Sequence, residues 1–155
     1  MASEKASPIR LAVFGRPVRR SLSPRIHSLF ASQAGLQVDY RAIKATPETF
    51  PDLVLELAAS GGRGCNVTVP LKQDAWRLAD RASDSALRAH AANTRVFYRA
   101  GELYAANTDG QGLVADLQST GGVRLAGTRI CRLGAGGAAA GVLGALLRAE
   151  PVSLV

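Results

Sequence analysis

Between residues 9 and 62 the chain passes twice from a strand pattern to a helix pattern, and this alternation constrains its fold most. Ile9 to Phe14 is apolar and β-favouring and stops at Gly15, so it reads as a strand. A loop runs through Arg20. Ser23-Pro24 then has the makeup of a helix start, a side-chain cap followed by proline in the first turn. Ile26, Leu29, Phe30 and Ala34 follow at helical spacing until Gly35. Val38 to Ile43 reads as a second strand. Thr46-Pro47 opens a second helix with Phe50, Leu53, Val54 and Leu57 on one face, closed by Gly61-Gly62. This order predicts an α/β domain with a mostly parallel sheet.

The remainder continues the theme. Gly64 to Val69 is a short apolar run broken by Asn66 and Thr68 and closed by Pro70, and helical segments are expected around Asp74–Ala79 and Ser83–Ala89. Thr94–Arg99 and Glu102–Ala105 flank Ala100-Gly101, a hairpin signal. Thr108-Asp109-Gly110 precedes a helix carrying Leu113, Val114 and Leu117. After the Thr120-Gly121-Gly122 turn come a strand at Thr128–Leu133, a glycine-rich helix start, and a last strand at Val152–Val155. At 155 residues, the chain amounts to one domain, or to one domain and the beginning of another.

Composition removes several function classes. With 47% hydrophobic and 20% charged residues, the chain is not a disordered tail. Its longest uncharged stretch, Leu133 to Leu147, is glycine-rich and short of the ~20 residues a membrane span needs. Met1 to Pro8 carries Glu4 and Lys5 and no apolar run, so no signal peptide is expected. Cys65 and Cys131 are the only cysteines, which argues against a disulfide scaffold or a cysteine metal site. A reduced, cytoplasmic setting is the expectation, with no metal and no membrane. The net charge of +7 raises nucleic acid, yet the basic residues cluster no further than Arg19-Arg20 and aromatics are 5%. A small anionic ligand, or plain solvated surface, accounts for the arginines better. Lys5, Lys44 and Lys72 are the only lysines, so a lysine retained in an arginine-rich chain hints at proton chemistry.

The expected strand ending at Leu133 runs into Gly134-Ala135-Gly136-Gly137-Ala138-Ala139, a G-x-G-x-x-A pattern. In a dinucleotide site the first glycine permits the tight turn, and the second lets the pyrophosphate approach the backbone. The third small residue lets helix and strand pack closely. Free N–H groups at the helix start then face the phosphates. Tight packing alone is the bland alternative. Arg132 is unusual in such a strand and is expected at an exposed strand end. The residue that reads the ribose lies ~20 residues past the loop, at or just beyond Val155.

Four polar clusters stand where apolar residues would be cheaper: Ser21-Leu22-Ser23, Asn66-Val67-Thr68-Val69-Pro70-Leu71-Lys72, Ala92-Asn93-Thr94 and Asn107-Thr108-Asp109-Gly110. In an extended stretch Asn66 and Thr68 share one face, with Val67 and Val69 packed below. Taken singly, these are an edge face and a solvated lysine. Together they supply fixed hydrogen-bond groups for a polyhydroxylated or carboxylated ligand. Lys72 with an aspartate supplies a proton carrier and a group that orients it. His27 on its helix reads as a surface or supporting residue, and His90 as a loop residue.

These marks in this order resemble the shikimate dehydrogenase family, from Ile9 nearly to Val155. The resemblance implies an N-terminal α/β substrate domain (8–107) followed by a linker helix and the first βαβ unit of a Rossmann domain (108–155). It implies reversible NADP-linked reduction of 3-dehydroshikimate to shikimate, a step of chorismate and aromatic amino acid biosynthesis, in the cleft between the two domains. Ser21 and Ser23 would bind the carboxylate; Asn66, Thr68, Asn93 and Asp109 would hold the ring hydroxyls. Lys72 and Asp109 match the catalytic pair, and Gly134, Ala135, Gly136, Gly137, Ala138 and Ala139 the cofactor loop. The departures are Leu71 for phenylalanine, His90 and Ala92 for glycine and valine, Ala140 for arginine, and Arg132. Most of the family's cofactor domain is missing from the chain, so it is expected to be inactive by itself. The alternatives are a vestigial shikimate-binding domain and an NAD-linked quinate/shikimate dehydrogenase.

Overall fold

The computed structural model describes residues 7–98 and 101–155. Ile9–Gly15 (β1) lies between Val38–Lys44 (β2) and Gly64–Val67 (β3), all three parallel. Arg81–Ala82 (β4), Thr94–Phe97 (β5) and Leu103–Ala106 (β6) complete a six-stranded sheet in the order β2-β1-β3-β5-β6-β4. β5 runs antiparallel to both neighbours, as a hairpin strand must, while β4 is parallel to β6. The predicted mostly parallel α/β sheet is therefore the observed one. Arg99 and Ala100, part of the expected hairpin, lie outside the described residues.

The described residues form six helices: Ser23–Gln33 (α1), Phe50–Ala59 (α2), Lys72–Arg77 (α3), Asp84–Ala89 (α4), Asp109–Ser119 (α5) and Gly137–Arg148 (α6). The core lies between the sheet and α2, α3 and α4, where Phe14 meets Phe50 edge-to-face at 5.6 Å between ring centroids. Burying either ring contributes about 2–3 kcal/mol. Arg129–Ile130 (β7) and Ser153–Leu154 (β8) form a separate parallel pair around α6. α6 packs against α5 and α4, which brings the glycine loop to the first sheet.

Several expectations are corrected. Ser23 is the first residue of α1 rather than its cap: Leu22 holds the cap position, and Ser21 Oγ accepts the Ser23 N–H at 3.2 Å. The apolar stripe of α1 faces outward, Ile26, Leu29 and Phe30 being 41%, 56% and 59% exposed. The helix lies over β2, an edge strand, and only Ala31 is buried. α2 begins at Phe50, because Thr46–Thr49 closes into a turn with the Thr46 N–H donating to Thr49 Oγ1. β3 ends at Val67, so Val69 is exposed instead of packed below Asn66 and Thr68. β7 ends at Ile130, three residues short of the expected Leu133, which is exposed. Arg132 is half-buried, not exposed. β4 had no sequence signal, being two residues long.

Candidate active site

A cavity of about 900 Å³ opens beyond the carboxyl ends of β1 and β3, where an α/β sheet characteristically receives ligands. Each strand-end motif delivers its polar groups there. The Thr68 N–H is held by Phe14 O and the Arg16 N–H by Val69 O, stitching the two exits together. A side chain on Gly15 would collide with Thr68, so glycine at this position lets the chains cross. The turn ends as Leu71, fully buried, leads into α3 with Lys72 as its first residue. The Ala92 N–H donates to Lys72 O at 2.8 Å and fixes the backbone there.

The cavity gathers Ser21, Ser23, Asn66, Thr68, Lys72, Asn93 and Asp109, all seven candidate ligand-binding residues. Lys72 Nζ donates to Asp109 Oδ2 at 2.6 Å, the two side chains being 13% and 22% exposed. Asn93 Nδ2 donates to the other oxygen, Oδ1, at 2.8 Å. Ser21 Oγ donates to Ser23 Oγ at 3.1 Å, pairing two hydroxyls in the same cavity. An ammonium held by a carboxylate, faced by hydroxyls and amides, can move a proton to or from a ligand oxygen while fixing the ligand's other polar groups.

Further residues join the site that the sequence did not assign to it by number. Arg19, Arg20 and His27 also line the cavity. The His27 ring stacks on Tyr40 at 4.3 Å, and its Nδ1 lies 2.9 Å from Ser23 O. Burial pushes the Tyr40 phenol up to about 12, with the Ser23 side chain pulling the other way. Asn107 is buried; its Nδ2 donates to Ala91 O at 2.9 Å and its Oδ1 accepts the Asp109 N–H at 3.1 Å. The sequence placed Asn107 in a motif but offered no sign of that bracing role. His90 caps α4 in a left-handed conformation and stacks on Trp76, away from the cavity.

The glycine loop does not line the cavity but adjoins it: a methyl group added to Gly137 would stand 3.4 Å from Lys72 Cβ. Gly134 has φ +113°, which favours glycine, and a methyl on Gly136 would meet nothing within 4 Å. The first N–H groups of α6 lack intrahelical acceptors, as at any helix start. Open space, bare backbone and a helix N-terminus suit a pyrophosphate. Among the described residues, no three His, Cys, Asp or Glu side chains cluster as a metal site would require. No helix among them is long and apolar enough to cross a membrane.

The profile of the shikimate dehydrogenase substrate binding domain matches residues 13–94. The chain belongs to this family. It is 54% identical over 145 residues to a shikimate dehydrogenase (NADP(+)) of Chromohalobacter salexigens, covering 94% of this chain and 53% of that protein. The corresponding protein of Methylococcus capsulatus is 49% identical over 148 residues, covering 96% and 53%. A solved structure of shikimate 5-dehydrogenase from Thermus thermophilus, in complex with NADP(H) and shikimate, superposes with a TM-score of 0.86 at 37% identity. That match covers 94% of this chain and 55% of the solved one. The chain thus spans about half the length of the curated relatives it matches.

Proposed function

We propose that this chain is the substrate-binding part, with the opening of the nucleotide-binding part, of an NADP-linked shikimate dehydrogenase. The observation that carries this reading is the Lys72 Nζ–Asp109 Oδ2 contact of 2.6 Å inside the cavity that also holds the two serines and two asparagines. The proposed division puts residues 8–107 in the substrate domain and 108–155 in the linker helix and first βαβ unit. A cytoplasmic setting fits the two free thiols, Cys65 and Cys131.

In this reading Ser21 and Ser23 take the shikimate carboxylate, with Arg19 and Arg20 adding positive charge to the cavity lining. Asn66, Thr68, Asn93 and Asp109 receive the ring hydroxyls. In the reducing direction the ketone oxygen of 3-dehydroshikimate takes a proton from Lys72 Nζ as its carbon becomes the carbinol carbon. In reverse, the amine of Lys72 recovers that proton from the hydroxyl. Asp109 holds Lys72 in line and Asn107 braces Asp109, so little reorganisation is needed when the ligand arrives. Gly134, Ala135, Gly136, Gly137, Ala138 and Ala139 would hold the NADP pyrophosphate, and the bound nucleotide supplies or accepts the hydride.

Calorimetric titration of the 155-residue chain with shikimate tests this. Saturable one-site binding, weakened by Ser21→Ala, is expected; no saturable binding would refute the reading. Because one βαβ unit offers only two strands to a dinucleotide, the chain alone should form negligible NADPH from shikimate and NADP⁺.

A further inference from the structure

Tyr40 sits outside the ring of residues that meets the ligand, yet its hydroxyl donates to Asn66 Oδ1 at 2.6 Å. We propose that Tyr40 is a positioning residue, whose hydroxyl holds the Asn66 amide and thereby steadies a hydrogen-bond chain ending on Asp109. The inference rests on the shikimate reading for its ligand, but its geometry is independent of it.

The direction follows from which atoms can only accept. Asn66 Nδ2 lies 3.4 Å from Asn93 O and 3.3 Å from Thr94 Oγ1. A backbone carbonyl cannot donate, so the amide nitrogen must face it and Oδ1 must face Tyr40. Thr94 Oγ1, receiving from Asn66, spends its single proton on Asn93 Oδ1 at 2.9 Å. Asn93 Oδ1 also takes the Thr108 N–H at 3.1 Å, which turns Nδ2 toward Asp109 Oδ1. Asp109 is then left with Oδ2 facing Lys72. The Asn93 carbonyl sets which way the Asn66 amide faces, the Tyr40 hydroxyl holds its oxygen end there, and Thr94, with one proton, passes that orientation on to Asn93. His27, stacked on Tyr40 and bonded to Ser23 O, holds the ring in place from α1.

Without the Tyr40 hydroxyl, Asn66 Oδ1 loses its short donor in a half-buried position. The amide is then held only by its nitrogen end, whose contacts with Asn93 O and Thr94 Oγ1 are long at 3.4 and 3.3 Å, so Asn66 and the Thr94 hydroxyl it orients both loosen.

Tyr40→Phe keeps the ring and its stack while removing only the oxygen. It should weaken shikimate binding roughly tenfold, the worth of one ligand hydrogen bond lost when Asn66 is no longer held in place. In an Asn66→Ala background the same change should cost little, because the member it acts through is gone. Independently of ligand, the side-chain amide NMR signals of Asn93 should shift in Tyr40→Phe although no atom of Tyr40 bonds to Asn93. Unchanged affinity in Tyr40→Phe beside a wild type that binds shikimate would overturn the proposal, as would Asn93 signals that do not move. A wild type that binds no shikimate, with Asn93 signals that respond to Tyr40→Phe, would support the chain of bonds and overturn the substrate reading instead.

Discussion

Lys72 and Asp109, 37 positions apart in the chain, meet with Nζ and Oδ2 separated by 2.6 Å. One opens α3 and the other opens α5, so two helix starts converge on one wall of the cavity. If the pair moves a proton, joining this chain to a complete nucleotide-binding part and changing Lys72 to Ala should lower turnover roughly 10²–10⁴-fold. Shikimate affinity should change much less. Steady-state kinetics and direct titration separate the two; equal losses in both would remove Lys72 from proton transfer.

Arg95 is the largest fully buried side chain, and its guanidinium donates to the carbonyls of Ala75 and Leu78 at the end of α3. Burial pulls its pKa down, with Cys65 and Asp80 opposing. Arg95→Ala leaves a cavity and two carbonyls without donors, and should cost about 3 kcal/mol in urea unfolding. Arg95→Met fills most of the volume and removes the buried charge, so it should cost less than the alanine change. Equal costs would mean that the lost hydrogen bonds, not the packing, dominate.

Glycines in α6 should divide sharply. A methyl added at Gly141 would stand 2.7 Å from Asn107 Nδ2 and 2.9 Å from Oδ1, displacing the amide that braces Asp109. Gly141→Ala should therefore destabilise by about 1–3 kcal/mol. At Gly144 a methyl would meet only Arg148 Nη1 at 3.6 Å and Arg88 Nε at 3.9 Å, the ends of flexible chains. Gly144→Ala should be neutral or stabilising by up to about 1 kcal/mol through helix propensity. Thermal unfolding of the two variants checks the contrast.

Burial pushes the Cys65 thiol up to about 12, although the Arg95 guanidinium pulls it down. At pH 8 iodoacetamide should label the exposed Cys131 quickly and Cys65 only after unfolding. An unfolded cysteine ionises near ~8.5. Between that value and about 12 the unfolded chain binds fewer protons than the folded one, so stability falls as pH rises; below it this thiol adds no slope. Tyr40, also raised to about 12, acts in the same sense above ~10. Cys65→Ala should flatten the decline in urea midpoint between pH 8 and pH 10.

Much of the architecture could be read locally. The strand of Ile9, the helix after Pro24 and the left-handed Gly134 each follow from a few adjacent residues, and the observed elements agree within a few positions. The motif from Asn66 to Lys72 could be recognised as polar where packing would favour apolar groups. The outward stripe of α1 could not, because helical spacing gives a face without saying what covers it. Nor could β4, which exists only because β6 offers it an edge.

The amino-acid order by itself determined the α/β class, the succession of elements and the residue types available for proton transfer and phosphate contact, because propensity and periodicity act over a few neighbours. Tertiary structure alone decided that Arg95 would be buried, that Tyr40 would brace Asn66, and that Gly141 would make room for Asn107. Those outcomes depend on distances between segments far apart in the chain. No local pattern encodes such distances, and only the packed sheet and helices set them.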